Sequence, residues 1–143
     1  MKNGEVDFAV ITTPAEVESG LKMVELKPFY EVLVGGRTFT ALASQNLSLK
    51  ELNNYPLISL SDESMTRAFY RQFFLDHGAV LKPDTEAATT DQMLTLVKSE
   101  LGIAFLPQSM AQDALARGEI VQLHLQEIIP QRSICLCTTI TAR

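Results

Sequence analysis

Leu96-Val97-Lys98-Ser99-Glu100-Leu101-Gly102-Ile103-Ala104-Phe105-Leu106-Pro107 is the stretch that decides the fold. Its first half closes an amphipathic helix whose apolar face is Met93, Leu94, Leu96, Val97 and Leu101. Gly102 stops that helix, Ile103 to Leu106 is a short apolar strand, and Pro107 ends it. Helix, glycine stop, buried strand and proline is the grammar of an α/β unit, and the same grammar recurs on both sides. Upstream, Leu57-Ile58-Ser59-Leu60 reads as a strand, followed by the polar cluster Ser61-Asp62-Glu63-Ser64 and a helix with Met65, Phe69 and Phe73 at every fourth position. Tyr70 and Phe74 widen its stripe and Gly78 ends it. Thr85-Glu86-Ala87-Ala88 is a weaker strand, with Thr89 and Thr90 able to cap the helix after it. Downstream, a helix carrying Met110, Ala111, Ala114 and Leu115 runs to Gly118. Ile120 to Leu125 then alternates as a half-buried strand should.

The outer parts fit the same scheme. Val6-Asp7-Phe8-Ala9-Val10-Ile11 reads as a buried strand, with Thr13, Pro14 and Glu16 forming a helix start after it. Tyr30 to Val34 is extended and stops at Gly35-Gly36. Ser48-Leu49-Lys50-Glu51 is a capping box opening a short helix that ends near Asn53-Asn54. Ser133 to Ile140 is a last strand. Strands alternating with helices predict an α/β fold with a mainly parallel sheet.

Composition narrows the function. The 143 residues carry 12 basic and 17 acidic side chains, a net charge of -5, with the basic residues scattered. That argues against direct DNA binding by this chain. No apolar run approaches a membrane span and no signal peptide is visible, so a cytoplasmic location is expected. Cys135 and Cys137 read as buried or half-buried strand cysteines rather than metal ligands. His77 reads as a solvated cation at a helix C-terminus, and His124 lies on the polar side of its strand. None of the motifs for dinucleotide, phosphate-loop, zinc-protease or serine-hydrolase chemistry is present, and no cofactor is expected. The chain reads as something other than an enzyme.

There remain hydroxyl groups at strand ends: Thr12, the cluster Ser61, Ser64 and Thr66, and Thr89 with Thr90. Ligands of open α/β sheets sit outside the carboxyl ends of the strands, where helix N-termini favour anions. Serine and threonine are equally good N-caps, so capping and ligand contact both stay open.

The order of these pieces resembles the effector-binding domain of LysR-type transcription regulators. The resemblance rests on Gly4-Glu5-Val6-Asp7-Phe8-Ala9-Val10, on Leu49, Leu52 and Pro56-Leu57-Ile58, and on Thr66-Arg67. It continues in Leu96 to Pro107 and in Pro130 and Arg132. It implies a periplasmic-binding-protein-like (type 2) fold of two lobes joined by crossing strands. Residues 1–28 would be a remnant of lobe one, 29–125 lobe two, and 126–143 a strand returning to lobe one. It implies a small polar or anionic effector contacting Thr12, Ser61, Ser64, Thr66, Thr90, Phe105 and Pro107, although Phe105 also reads as core. The family's DNA-binding winged helix-turn-helix has no counterpart in this sequence, so DNA would be reached only through a separate domain. Weak or no ligand binding by this chain alone and exposed edges that pair with a second copy are expected, giving a homo-oligomer. The rival readings are a solute-binding protein for transport and an oligomerisation module without ligand.

Overall fold

The computed structural model describes residues 8–12 and 21–139, and side-chain surroundings from 24 to 136. The predicted helix start at Thr13, Pro14 and Glu16 lies outside the described residues, as do Val6, Asp7 and Ile140. Nine strands and three α-helices are described. They are β1 (Phe8–Thr12), β2 (Leu21–Phe29), β3 (Glu31–Gly36), β4 (Asn46–Leu47), β5 (Ile58–Leu60) and α1 (Met65–Asp76). Then come β6 (Thr85–Ala87), α2 (Thr90–Lys98), β7 (Ile103–Pro107), α3 (Gln108–Ala116), β8 (Ile120–Leu125) and β9 (Arg132–Thr139).

The pairing gives two sheet regions. In the first, β9 lies between β1 and β2 and runs antiparallel to both. In the second, β4 pairs with β8, β8 with β3 and β3 with β7. A parallel bridge from Leu57 to Ile103 then brings in β5, with β6 parallel beside it. The expectation of a mainly parallel sheet is corrected here: among the described pairs, β1–β9, β2–β9, β3–β7 and β3–β8 are antiparallel, and only β4–β8 and β5–β6 are parallel. In the second region it is β3 that runs against both neighbours. The reason is connectivity: β3 enters straight from β2, while β7 and β8 are reached through helices, which restore a common direction. This reversal places the start of β3 at the carboxyl end of β7, where Glu31 stands opposite Pro107.

The alternation of β3, β7 and β8 divides the core into two layers. Leu33, Ile103, Phe105 and Leu123 face α1, packing on Tyr70, Phe73 and Phe74. Val34, Ala104, Leu106 and Ile120 face the other way, onto Met93, Val97, Ala111 and Ala114 of α2 and α3. The buried face of α1 differs from the predicted every-fourth stripe, since Met65 is exposed and Phe69 only half-buried. At 3.6 residues per turn a four-residue repeat drifts around the helix, and Tyr70, Phe73 and Phe74 take the core. Leu101, assigned to the α2 face, is exposed because α2 ends at Lys98.

The caps show why the helices begin where they do. Ser64 Oγ accepts from Arg67 N at 2.9 Å and Thr89 Oγ1 from Gln92 N at 3.2 Å. Gln92 Oε1 in turn accepts from Ala88 N at 2.9 Å, a two-way closure of the α2 start. The segment after Ser48 is a 3-10 helix, Leu49–Asn54, rather than an α-helix. Ser48 does not cap it; the Glu127 carboxylate accepts from Leu49 N instead. A second 3-10 helix, Arg37–Ser44, has no counterpart in the sequence expectations. Its start is held by Glu100, which takes hydrogen bonds from Arg37 N at 2.7 Å, Thr38 N at 3.0 Å and the Thr38 hydroxyl.

That arrangement predicts a pH effect. The hydrogen bonds from the Thr38 hydroxyl and amide, and then from Arg37, hold the Glu100 carboxyl below its ordinary value of 4.5. A depressed folded-state value means the contribution is present above about pH 4.5 and is lost as pH falls through the lower folded value. Glu100→Gln is expected to flatten the acid limb of the stability–pH curve, read by urea midpoints from about pH 3 to about pH 6, the interval that brackets ordinary carboxylate titration. An unchanged acid limb would refute the assignment.

Candidate functional site

The α/β half of the molecule puts its loops where the sequence led one to look. Parallel β5, β6 and β7 end at Leu60, Ala87 and Pro107, and the chain enters α1, α2 and α3 at that edge. Thr66 in the first turn of α1, Thr90 at the start of α2, and Phe105 and Pro107 from β7 line one recess of about 20 Å³ together with Leu60 and Met93. Its remaining walls are two charged side chains, Glu31 and Arg132.

These two form an ion pair, Arg132 Nη1 to Glu31 Oε1 at 2.8 Å, with side chains only 2% and 1% exposed. Glu31 opens β3 and Arg132 opens β9, so the pair bridges strands that are 101 residues apart in sequence. The Arg132 guanidinium also lies between two aromatic faces, 4.9 Å from the Phe69 ring centre and 5.2 Å from that of Phe29. Tyr70, one helical turn beyond Thr66, stacks on Phe105 with ring centres 4.4 Å apart. Burial, and then the charge of the adjacent Glu31 carboxylate, push the Tyr70 phenol well above the ordinary tyrosine value of 10.0. The folded state therefore holds this proton more tightly than the unfolded chain. That stabilisation is complete below about pH 10 and declines as pH rises toward the folded value. Tyr70→Phe is expected to remove part of the alkaline loss of stability, a result a urea series at alkaline pH would show or refute.

The structure treats the other predicted residues differently. Ser64 is half-buried and its hydroxyl is engaged in capping α1. Ser61 is exposed in the turn after β5, where its carbonyl accepts from Ser64 N at 3.0 Å. Neither lines the recess. For Thr12 the backbone alone is described: it ends β1 opposite Ile134, two positions along β9 from Arg132. At the rise of an extended strand that is about 7 Å. Phe105 belongs to the core cluster and to the recess wall at once, being 5% exposed.

Glu31, Tyr70 and Arg132 were not among the predicted contacts. For Glu31 and Arg132 a signal was present, an acid directly before the apolar run Val32-Leu33-Val34 and a base shortly before the apolar Ile134-Cys135-Leu136, while Tyr70 was read only as part of the α1 stripe. The link between them was tertiary. Arg67 is engaged locally, its Nη1 donating to Leu60 O at 3.0 Å and Glu86 Oε2 at 3.1 Å, while its buried Nε has no hydrogen-bond partner. His77 and His124 are exposed, with His77 Nδ1 3.0 Å from Phe73 O. Cys135 is buried as a free thiol, the side chain of Cys137 lies outside the described residues, and among the described residues no cluster could hold a metal ion. No helix among them is long and apolar enough to cross a membrane.

Residues 1–139 match the family model described as the LysR substrate binding domain. The chain belongs to that family. One relative within it is the HTH-type transcriptional regulator SsuR of Burkholderia cenocepacia, 25% identical over 126 residues. The match covers 88% of this chain and 41% of SsuR, so the chain spans less than half of that relative. Among solved structures, the regulatory domain of Synechocystis CcmR in complex with 2-PG superposes with a TM-score of 0.83 at 21% identity, covering 100% of this chain and 68% of that one. The effector binding domain of QuiR in complex with shikimate gives 0.81 at 22% identity, covering 99% of this chain and 66% of that one. The fold is thus the periplasmic-binding-protein-like type 2 arrangement of LysR regulatory domains.

Proposed function

We propose that this chain is the effector-sensing domain of a LysR-type transcription regulator, acting in the cytoplasm by binding rather than by catalysis. The observation that carries the reading is the convergence of Thr66, Thr90, Phe105 and Pro107 from three separate elements on one recess at the strand carboxyl ends. Residues 1–28 then stand for lobe one, 29–125 for lobe two and 126–143 for the return to lobe one. The crossing strands β2 and β9, paired antiparallel, are the connection about which the lobes close. Thr12, at the end of β1, would meet the ligand from the lobe-one side. Ser61 and Ser64 would contribute through the α1 N-terminus they help to form, Ser64 through its cap. The effector is a small polar or anionic molecule, a reading supported by the complexes of CcmR with 2-PG and QuiR with shikimate. DNA is reached through a further domain of a longer chain, and closure is transmitted within a homo-oligomer. SsuR's name as a transcriptional regulator favours this over a transport protein.

Calorimetric titration of the 143-residue chain against small carboxylates, amino acids and sugars tests the reading. A ligand should bind, and Thr66→Val and Thr90→Val should each weaken it by about fivefold, the worth of one hydrogen bond near 1 kcal/mol. Binding indifferent to both substitutions, or no binding across the series, would overturn it.

A further inference from the structure

Both crossing strands are fastened where they meet the α/β half. Glu31 at the start of β3 and Arg132 at the start of β9 are paired at 2.8 Å, with side chains 1% and 2% exposed. The Tyr70 phenol of α1 donates a hydrogen bond to the Glu31 carboxylate. The Arg132 guanidinium lies between the ring of Phe29, at the end of β2, and that of Phe69, the neighbour of Tyr70 on α1. Tyr30 O, between Phe29 and Glu31, accepts from Gln108 N at the start of α3, at 2.8 Å. Swinging either strand at this point would separate two charges that have little water to turn to, and breaking a buried ion pair is strongly destabilising.

A few residues back along β2 the strand is held differently. Every residue from Val24 to Pro28 is exposed. The pairing with β9 slips between Glu25, opposite Cys135, and Lys27, opposite Ile134, which leaves Leu26 as an extra residue without a partner across the ladder. Such a bulge interrupts the ladder and bends the strand that carries it. A cavity of about 410 Å³ opens between Lys27 and Pro28 on one side and Ser109 and Met110 of α3 on the other, so the strand stands clear of the helix there.

By topology alone Tyr30 is the natural hinge, being the one residue outside a strand between β2 and β3. Its neighbours on both sides belong to the buried cluster, however. A change of dihedral angles at Tyr30 would pull Phe29 off Arg132 or Glu31 off Tyr70. The same change at Leu26 disturbs neither.

We propose that Glu31, Tyr70 and Arg132 form a pin that makes the adjoining ends of both crossing strands part of lobe two, and that the lobes move by bending β2 at the Leu26 bulge rather than at Tyr30. The proposal rests on the effector-domain reading and adds to it where closure bends. Glu31 and Arg132 also wall the recess, so the effector sits against the fixed side of the hinge.

Residue-resolved amide hydrogen exchange on the whole chain locates the bend, because a segment that opens locally exchanges ahead of global unfolding. The hydrogen-bonded amides of residues 29–32 and 132–134 should exchange as slowly as those of β7. Those that residues 21–25 direct at β9 should exchange about tenfold or more faster, the mark of a local opening. Tyr70→Phe removes one oxygen from the pin and keeps the ring on Phe105. It should speed exchange in residues 29–32 and 132–134 together, severalfold, and move the boundary from Leu26 to Tyr30. Val97→Ala, in the other core layer, is the control: it should lower protection throughout the α/β half and leave the boundary at Leu26. A boundary at Tyr30 in the unaltered chain, no boundary at all, or the Val97→Ala pattern in Tyr70→Phe overturns the pin. None of these readings needs a ligand. The calorimetric series can therefore overturn the effector-domain reading while the boundary stays at Leu26, and the pin can fail while a ligand still binds.

Discussion

Arg132→Met is expected to lower the stability of the chain by about 3–5 kcal/mol, measured as the shift in urea unfolding. The substitution keeps much of the side-chain length but removes the charge that Glu31 faces. Glu31 is then left as a carboxylate almost wholly withdrawn from water, its side chain 1% exposed. The cost comes less from the attraction lost than from the charge left behind, since the effective penalty for an uncompensated buried ion is several kcal/mol. The Phe29 and Phe69 rings would also lose the cation seated between them, worth about 0.5–2 kcal/mol. The double variant Glu31→Leu with Arg132→Met should recover most of the loss, because an apolar pair of similar volume requires no desolvation of charge. A double variant no more stable than Arg132→Met alone would show that the ion pair is not the reason.

Gly102→Ala is expected to cost about 3 kcal/mol or more, through overpacking and strained backbone together. A Cβ at this position would lie 2.5 Å from the Pro56 carbonyl oxygen, and Gly102 has φ of +157°. The Pro56 carbonyl cannot retreat, since it accepts from Ile103 N at 2.8 Å beside the Leu57–Ile103 bridge that joins β5 to β7. Moving it would unzip the contact that makes one sheet of the two strand groups and aligns the ends of β5 and β7. Gly118→Ala serves as the comparison. It also has a positive φ, +71°, but no atom lies within 4 Å of the added carbon. Only the backbone cost of about 1 kcal/mol then remains. Equal losses at the two positions would remove the close-approach explanation.

Much of the α/β half was legible because its signals are local. Ser64, Thr89, Gly78 and Gly118 mark helix boundaries through hydrogen bonds and dihedral angles within a few residues of themselves, whereas Gly102 does not stop α2, which ends at Lys98 with Glu100 in the left-handed conformation. β2 was missed because its signal is divided. Glu25 and Lys27 straddle a register shift that breaks the alternation, and Pro28 argues against a strand interior. The 3-10 helix Arg37–Ser44 was missed because its cap is Glu100, 62 residues away from Thr38. The site divides in the same way. Thr66, Thr90 and Pro107 could be reached by looking at the residues directly after each strand, whereas Glu31 with Arg132 needed the knowledge that β3 runs against its neighbours. Ser61 and Ser64 satisfy the same rule, yet Ser64's hydroxyl is committed to its own helix and Ser61 faces solvent.

The position of β9 between β1 and β2 has a consequence for biosynthesis. Every strand from β3 to β8 is complete by Leu125, so that half can begin to compact before β9 is available to it. Arg132 emerges 101 residues after Glu31, on the strand that also stitches β1 to β2. Until it arrives, the nascent half carries an acid in its interior with no base to meet it, a built-in reason for that half to stay loose. The corner where Arg132 meets Glu31 is therefore the last part to set, and its setting and the closing of the β1–β9–β2 sheet are one event.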